Sequence, residues 1–363
     1  MNLLWKEIRG NPLLWLLVFV PTVFVIEHLM PDSGTILFVL SILAIIPLAA
    51  LLSHATESVA AKTGDTVGGL LNATLGNLTE LVIALAALRA GEYMLVKASI
   101  AGAIVTNTLF MLGASFLLGG LKHHAQQFNV TNARLQSGQL FLATIALFLP
   151  TAVGLSAATA SVNVTQELSL SLAIVLILIY SLGLLYSLKT HREFFGSVST
   201  HSEEEEAPWP LNLALVTLAG VTILVALVSE VFVSSVEEAA LAMGMTDAFV
   251  GFIVVALVGG AAEMASAFSA ARKNRLDLSV GIALGSATQI ALFVVPVLVL
   301  ASYALGPSPM TLEFWPGAVI MMLLATLTAA LVSNGGRSGW FTGVMVIGVY
   351  LMFAITLYLL PPR

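Results

Sequence analysis

No cysteine occurs in the sequence, which excludes disulfides and thiolate metal sites and leaves the redox compartment unmarked. Charge is scarce as well: Asp, Glu, Lys and Arg make up 9% of the 363 residues, where a soluble domain carries roughly 25%. The formal net charge of −6 says little about partners. Four of the acids, Glu203, Glu204, Glu205 and Glu206, stand together in the one substantial hydrophilic stretch, THREFFGSVSTHSEEEEAPWP at 190–210. No nucleic-acid partner and no resident cofactor is expected. What fills the chain instead is hydrocarbon. Hydrophobic residues reach 58% and mean hydropathy is +1.00, more than one soluble core can hide. The fold class implied is an all-α polytopic membrane protein, with the lipid bilayer as its surroundings.

A crossing takes about 20 apolar residues, because roughly 30 Å of hydrocarbon is spanned at about 1.5 Å per residue with every backbone group bonded inside the helix. Breaks at Pro, Gly and charge clusters predict about eleven transmembrane helices. They fall near 12–30, 34–61, 67–89, 94–121, 133–158, 166–189, 211–242, 247–272, 277–304, 312–332 and 339–360. The first follows Lys6 and Arg9 without a small-residue cleavage site, so it reads as a retained helix. The second, fourth, seventh and ninth exceed a perpendicular crossing, which predicts tilt or interruption there. With a cytoplasmic N-terminus, eleven of the fourteen Lys and Arg residues fall inside, against Arg89, Lys97 and Arg363 outside. That bias predicts a C-terminus on the opposite side, a cytoplasmic acidic segment and, for a prokaryotic source, the cell membrane. A homo-oligomer is compatible with this reading.

Sliding the sequence against itself by 183 residues aligns GNLTE (76–80) with GGAAE (259–263). The same offset aligns GAIVTN (102–107) with GSATQI (285–290). Between 67–110 and 250–293, twelve of forty-four positions are identical without a gap, among them Gly76 and Gly259, Glu80 and Glu263, Arg89 and Arg272, Gly102 and Gly285. The repeat unit holds five helices, an odd number, so its two copies enter the membrane in opposite directions. The predicted division is an extra N-terminal helix (1–32), a first five-helix repeat (33–190), an acidic cytoplasmic linker (191–210) and a second, inverted repeat (211–363). Inverted repeats are the architecture of secondary transporters, with the site near the bilayer midplane at the repeat interface.

Glu80 and Glu263 then need a reason to exist. An ionised acid at a helix centre costs roughly 2.5 to 3.5 kcal/mol on insertion scales, so an intramembrane Glu marks a functional site by default. A hydrogen-bonded structural acid is the plainer alternative, but it does not account for two acids at repeat-equivalent positions. Antiparallel helices can bring both side chains together, and a pair of carboxylates suits a hard divalent cation. Neutral oxygens and amides surround them in sequence: Asn72, Thr74, Asn77 and Thr79; Thr106, Asn107 and Thr108; Ser266 and Ser269; Ser286, Thr288 and Gln289. Without a cation, two neighbouring carboxylates in a low dielectric cannot both stay ionised at modest cost, so protons are the natural replacement. Competition between metal ion and protons for one site is a physical basis for antiport.

GGLLNATLGNLTELVIALAAL in the first half and GGAAEMASAFSAARKN in the second resemble the paired signature motifs of the calcium/proton exchanger (CAX) family, within the cation/calcium exchanger superfamily. The resemblance covers the chain in outline. It implies exchange of cytosolic Ca²⁺ for H⁺ by a non-enzymatic antiporter, with Glu80 and Glu263 as central ligands. It also implies supporting roles for Thr106, Asn107 and Gln289, and the polar neighbours Asn77 and Ser286 join them as candidates for cation and proton binding. The family's second motif commonly has Gly-Asn before Ala-Ala-Glu, where this chain has Gly259 and Gly260. Sodium-coupled relatives usually carry a proline-containing site motif, and neither glutamate follows a proline. The alternative is a sodium-coupled exchanger, or one carrying Mn²⁺ or Na⁺.

Glu57 near the end of the second helix and Glu230 on the seventh are candidates for proton or cation access, as is His54, whose unperturbed pKa is about 6.5. The plainer readings are interfacial acids and a hydrogen-bonded structural histidine. Glu237 and Glu238 rank lower as access residues. Glu203 to Glu206 form a candidate regulatory segment, a solvated charge run being the commoner case. Arg89 and Arg272 read as helix-end anchors that snorkel to headgroups. An intramembrane enzyme finds no support: HExxH, paired Asp and serine-nucleophile signatures are all missing.

Overall fold

The computed structural model describes residues 2–156, 162–191 and 208–359, and nearly all of these are helical. Helix α1 (Asn2–Gly10) precedes a 3₁₀ stretch, Pro12–Val18, that runs into α2 (Phe19–Leu29). Then come α3 (Gly34–Lys62), α4 (Asp65–Leu75), α5 (Leu78–Ala90) and α6 (Tyr93–Val105), the last joined to α7 (Leu112–His123) by a π turn, Thr106–Met111. Strand β1 (Ala125–Gln127), α8 (Val130–Ser156) and α9 (Val162–Leu185) follow. Beyond the linker lie α10 (Leu211–Ala242), α11 (Asp247–Phe249), a π turn at Val250–Val255, α12 (Ala256–Gly259) and α13 (Ala261–Arg272). Helix α14 (Leu276–Gln289) continues through a π turn, Ile290–Val294, into α15 (Val295–Leu305). Helix α16 (Pro316–Ser333), β2 (Arg337–Gly339) and α17 (Trp340–Leu359) close the chain.

Nine helices among the described residues are long and apolar enough to cross a membrane, and eleven spans result when each of two bent pairs counts as one. The span Tyr93–His123 is 89% buried over its most apolar window, against 17% for Pro12–Leu29, so α6 and α7 run through the centre and α2 lies on the rim. Rim helices turn Trp15, Val25, Leu178, Val216 and Leu331 outward, the pattern of a surface solvated by lipid. Turns alternate between two faces. One carries Lys62, Lys122, Arg272, Lys273, Arg275 and Arg337 and is termed the basic face. There β1 pairs antiparallel with β2, Gln126 opposite Ser338, and Gln126 Nε2 donates to Ala271 O and Asn274 Oδ1, both at 2.9 Å.

Several expectations are corrected. Interruption falls in the third and eighth crossings rather than only in the overlong ones: α4 and α5 meet at 42°, the α11–α12 segment and α13 at 58°. The breaks sit at Gly76–Asn77 and Gly259–Gly260, where missing Cβ atoms lower the cost of leaving the helix. The second and seventh crossings stay unbroken, while the fourth and ninth accommodate their length partly as π turns. An additional helix, α1, precedes the first crossing. The tenth begins at Pro316, not 312, because residues 306–315 form an extended strap. Met310, Leu312 and Phe314 alternate inward, and their N–H groups donate to the hydroxyls of Ser302, Ser169 and Thr151 at 2.8, 2.9 and 3.0 Å.

Local features recur at the 183-residue offset. Both breaks and the left-handed residues Gly91 (φ 83°) and Asn274 (φ 60°) are related by it, and the π turns Thr106–Met111 and Ile290–Val294 overlap at it. Helix α6 crosses the π turn Val250–Val255 backbone to backbone. A Cβ on Gly102 would collide with the Phe252 main chain, and one on Gly251 would lie 2.6 Å from Ala98 Cβ. Gly102→Leu is therefore expected to cost about 1 to 3 kcal/mol, typical of overpacking, and to lower the thermal midpoint of the detergent-solubilised protein. Gly138→Leu, at a position open to its surroundings, is the control expected to leave it unchanged.

Candidate functional site

Each broken helix ends at an N-terminus deep in the bundle, and each of those ends carries a glutamate. Glu80 lies in the first turn of α5 and Glu263 in the first turn of α13. The free N–H groups and dipole of a helix N-terminus favour negative charge, so the break supplies part of what a carboxylate loses on leaving water. Glu80 packs on the opposite repeat's break: a Cβ on Gly259 would lie 3.1 Å from Glu80 Cγ. The charges of Glu80 and Glu57 both reach Glu263.

Four neutral side chains join the two halves in one chain of hydrogen bonds. Asn107 Nδ2 donates to Ser286 Oγ at 2.8 Å, Ser286 Oγ donates to Asn77 Oδ1 at 2.6 Å, and Asn77 Nδ2 donates to Gln289 Oε1 at 2.7 Å. Asn77, Asn107 and Ser286 are buried. Ser286 also sits beside the Glu263 carboxylate, whose Oε2 has no hydrogen-bond partner among the described residues. Glu80 instead borders a small apolar cavity with Ala84, Ala103 and Ala256, where Ser99 is the other polar neighbour. Among the described residues no three His, Cys, Asp or Glu side chains gather as a metal cluster. A carboxylate beside neutral side-chain oxygens, with the charge of a second carboxylate reaching it, suits a transient hard cation completed by carbonyls and water, rather than a resident one.

Aromatic residues on helices outside this set hold it in place. Tyr180 of α9 donates to Ala73 O in the last turn of α4, a carbonyl beside the break, and stacks on Phe293 at 5.3 Å between centroids. Thr106 turns away from the amide chain and donates to Tyr350 OH at 3.4 Å. Sequence reasoning missed both tyrosines, since nothing in periodicity distinguishes them from packing aromatics. A buried Tyr hydroxyl does need a partner, and that is the signal a search for them would use.

The access candidates separate. Ser53 donates to Glu57 at 3.2 Å, and of the access candidates it is Glu57 whose charge reaches Glu263. His54 bonds Glu7 of α1 through Nδ1 and packs at a tilt against the Trp209 ring, 4.4 Å between centroids, while the Trp209 main-chain N–H donates to Ser58 Oγ at 3.2 Å. Glu230 lies at the face opposite the basic one, paired at 2.9 Å with Arg89 and not part of the central cluster. Arg89 is thus an ion-pair partner, and its pair is exposed enough to be screened. The Glu238 carboxylate abuts Gly34 at the start of α3. Glu203, Glu204, Glu205 and Glu206 lie outside the described residues.

The amide chain generates a thermodynamic expectation. A double-mutant cycle between Asn77→Ala and Gln289→Ala, read by thermal unfolding in detergent, is expected to show a favourable coupling of about 0.6 kcal/mol, the average for hydrogen bonds between membrane helices. Additive effects would mean that the two amides do not interact.

Comparison with known proteins places this geometry. The description "Sodium/calcium exchanger protein" matches residues 33–189 and 213–359. The Ca²⁺/H⁺ antiporter of Aphanothece halophytica is 40% identical over 359 residues, covering 95% of this chain and 96% of that protein. The Ca²⁺/H⁺ antiporter ChaA of Bacillus subtilis is 40% identical over 339 residues, covering 93% and 95%. The solved structure of native YfkE superposes with a TM-score of 0.83 at 36% identity, covering 96% of this chain and all of that one. The H⁺/Ca²⁺ exchanger CAX, at 16% identity and a TM-score of 0.72 over 96% of this chain and 88% of its own, shares the fold. With nearly the full length matched in sequence and in structure, this multi-pass membrane chain belongs to the sodium/calcium exchanger family.

Proposed function

We propose that this chain exchanges Ca²⁺ for H⁺ across its membrane by alternating access, with Glu80 and Glu263 as the shared site. The observation that carries the reading is the meeting of two broken helices from the two halves, each with a glutamate in its first turn, beside a chain of neutral side chains that reaches Glu263 through Ser286. Ca²⁺ takes six to eight oxygens at about 2.3 to 2.6 Å, more than two carboxylates provide, so Asn77, Asn107, Ser286 and water complete the set. When the cation leaves, protons neutralise the pair, and the two cargoes exclude each other. Relatives named as Ca²⁺/H⁺ antiporters at 40% identity favour protons over Na⁺ as counter-ion.

The division into an extra first helix, two inverted repeats and an acidic linker belongs to the same proposal. So does a cytoplasmic basic face. Alternating access draws support from one asymmetry. The α6 crossing at Gly102 and Phe252 is tightly formed, yet its repeat equivalent, Gly285 against Gly69, is not. Gly285 has Gln136 Nε2 as its neighbour at 3.4 Å, and Gly69 has the side chain of Leu188. The site is closed at the crossing toward the opposite face and released at the crossing toward the basic face. In the other state the two crossings trade places.

Two experiments test this. In proteoliposomes with an imposed pH gradient, Glu80→Gln and Glu263→Gln are each expected to abolish coupled radiocalcium uptake while the protein still elutes as a folded particle. Wild-type uptake that ignores the pH gradient, or follows a Na⁺ gradient instead, would reject proton coupling. Because the chain has no cysteine, Gly69→Cys with Gly285→Cys gives an isolated pair. Oxidation during turnover is expected to cross-link the two and stop uptake, with reduction restoring it. A pair that never cross-links removes that crossing from the cycle.

A further inference from the structure

Two amides with buried side-chain oxygens lie outside the site. On α8, Asn132 and Gln136 are one turn apart and share a face. The Asn132 side chain is 4% exposed, and Asn132 Oδ1 and Gln136 Oε1 have no hydrogen-bond partner among the described residues. Gln136 faces α14, with Nε2 3.4 Å from where a Cβ on Gly285 would sit and its main-chain carbonyl accepting from Thr288 Oγ1 at 3.2 Å. The two helices run in the same direction and are tied at the basic face, where Asp277 Oδ1 accepts from the Asn129 N–H at 2.8 Å. Along α14, Asp277, Gly281 and Gly285 recur every four residues on one face, and the next residue, Ser286, stands beside Glu263.

We propose that this seam between α8 and α14 holds a single file of water that conducts protons between the basic face and Glu263, apart from the path of the metal ion. The inference rests on the proposed exchange and adds a second route to it. An unpaired amide oxygen buried in hydrocarbon is costly, and water that bridges it to the next polar group removes the cost. The oxygens of Asn132 and Gln136 recur at the helical pitch of about 5.4 Å, close enough for bridging waters, and the stretch from Asp277 to Ser286 is about 14 Å long. Its near end is Glu263 Oε2, itself unpartnered.

The passage is narrow at Gly285, and its lining between Asp277 and Glu263 is neutral. A Ca²⁺ ion needs six to eight oxygens and several negative charges, which the seam does not offer. Protons need only a continuous chain of oxygens. Each hop breaks one O–H bond and makes the next; a proton taken up beside Asp277 is matched by one delivered to the Glu263 carboxylate. The nearest basic side chain on this part of α8, Arg134, is turned away and donates to Asn334 Oδ1 at 2.7 Å.

Radiocalcium self-exchange separates the two routes, since swapping Ca²⁺ for Ca²⁺ at fixed pH moves no protons. Gln136→Met, close in volume and without the amide, is expected to slow pH-driven uptake in proteoliposomes several-fold. Self-exchange should stay at the wild-type rate, and Gln136→Asn should restore the pH-driven rate. Equal slowing of both modes, or of neither, overturns the water file. If the Met variant does not assemble, Asn132→Leu carries the same comparison. A wild-type protein with self-exchange but no pH-driven uptake would instead defeat the exchange reading itself.

Discussion

Polar groups that this chain places inside hydrocarbon must find partners within the protein, and that constraint decides where its helices break. A break frees backbone groups, so each one has to be repaired locally. At the first, Gly76 N–H still reaches Asn72 O at 2.8 Å, Leu81 N–H reaches Asn77 O at 3.0 Å, and Tyr180 covers Ala73 O. At the second, Gly260 N–H reaches Ala256 O at 3.2 Å and Met264 N–H reaches Gly260 O at 2.9 Å. What the repair leaves is a helix N-terminus in the middle of the bundle, the one backbone feature that favours an anion there. The glutamates occupy those two ends. Their position follows from the breaks, and the breaks follow from glycine.

The two halves are related but unequal, and the inequality is chemical. Asn77 uses both ends of its amide, accepting from Ser286 and donating to Gln289. Its repeat equivalent is Gly260, and the equivalents of Ser286 and Gln289 are Ala103 and Thr106, so the mirror-image chain cannot form. Polar shell therefore concentrates around Glu263, whereas Glu80 borders alanines. A site with one wet and one dry carboxylate differs from a symmetric clamp. Under the proposed exchange, the cation is offered its neutral ligands from one side, and the proton that replaces it meets two environments of unlike polarity.

The membrane class, the eleven crossings and the two acids were legible in the sequence because each depends on composition or on the 183-residue offset, both of which survive without three-dimensional context. The repeat pairing of Gly76 with Gly259 and of Gly102 with Gly285 marked the positions that turned out to be a helix break and a helix crossing. Legibility ended where partners are distant in sequence. Asn77 and Gln289, Tyr180 and Ala73, and Gln136 and Gly285 are joined by packing alone. Length alone did not separate tilt from interruption: α3 and α10 stay unbroken, while shorter segments with glycine opposite a carboxylate break. Residues 312–315 read as the start of the tenth helix, and they lie extended because hydroxyls on α9 and α8 capture the N–H groups of Leu312 and Phe314, as one on α15 captures that of Met310.

Near-symmetry between the two halves gives the backbone crossing made by one half an equivalent available to the other, even where their side-chain networks differ, and under the proposed cycle the two resulting shapes are comparable in energy. Here the crossing of α6 on the Val250–Val255 turn is made, and its equivalent between α4 and α14 is not. Both crossings depend on glycines, which let backbones touch and exact little side-chain entropy when they part. Larger residues would interlock and hold one shape. Under the proposed cycle, the free-energy difference between the shapes then falls within the range that binding one cation, or the protons that replace it, can overcome. Glycine at the crossings and acids at the breaks are thus two halves of one requirement: a site that exchanges its cargo needs a scaffold that exchanges its contacts.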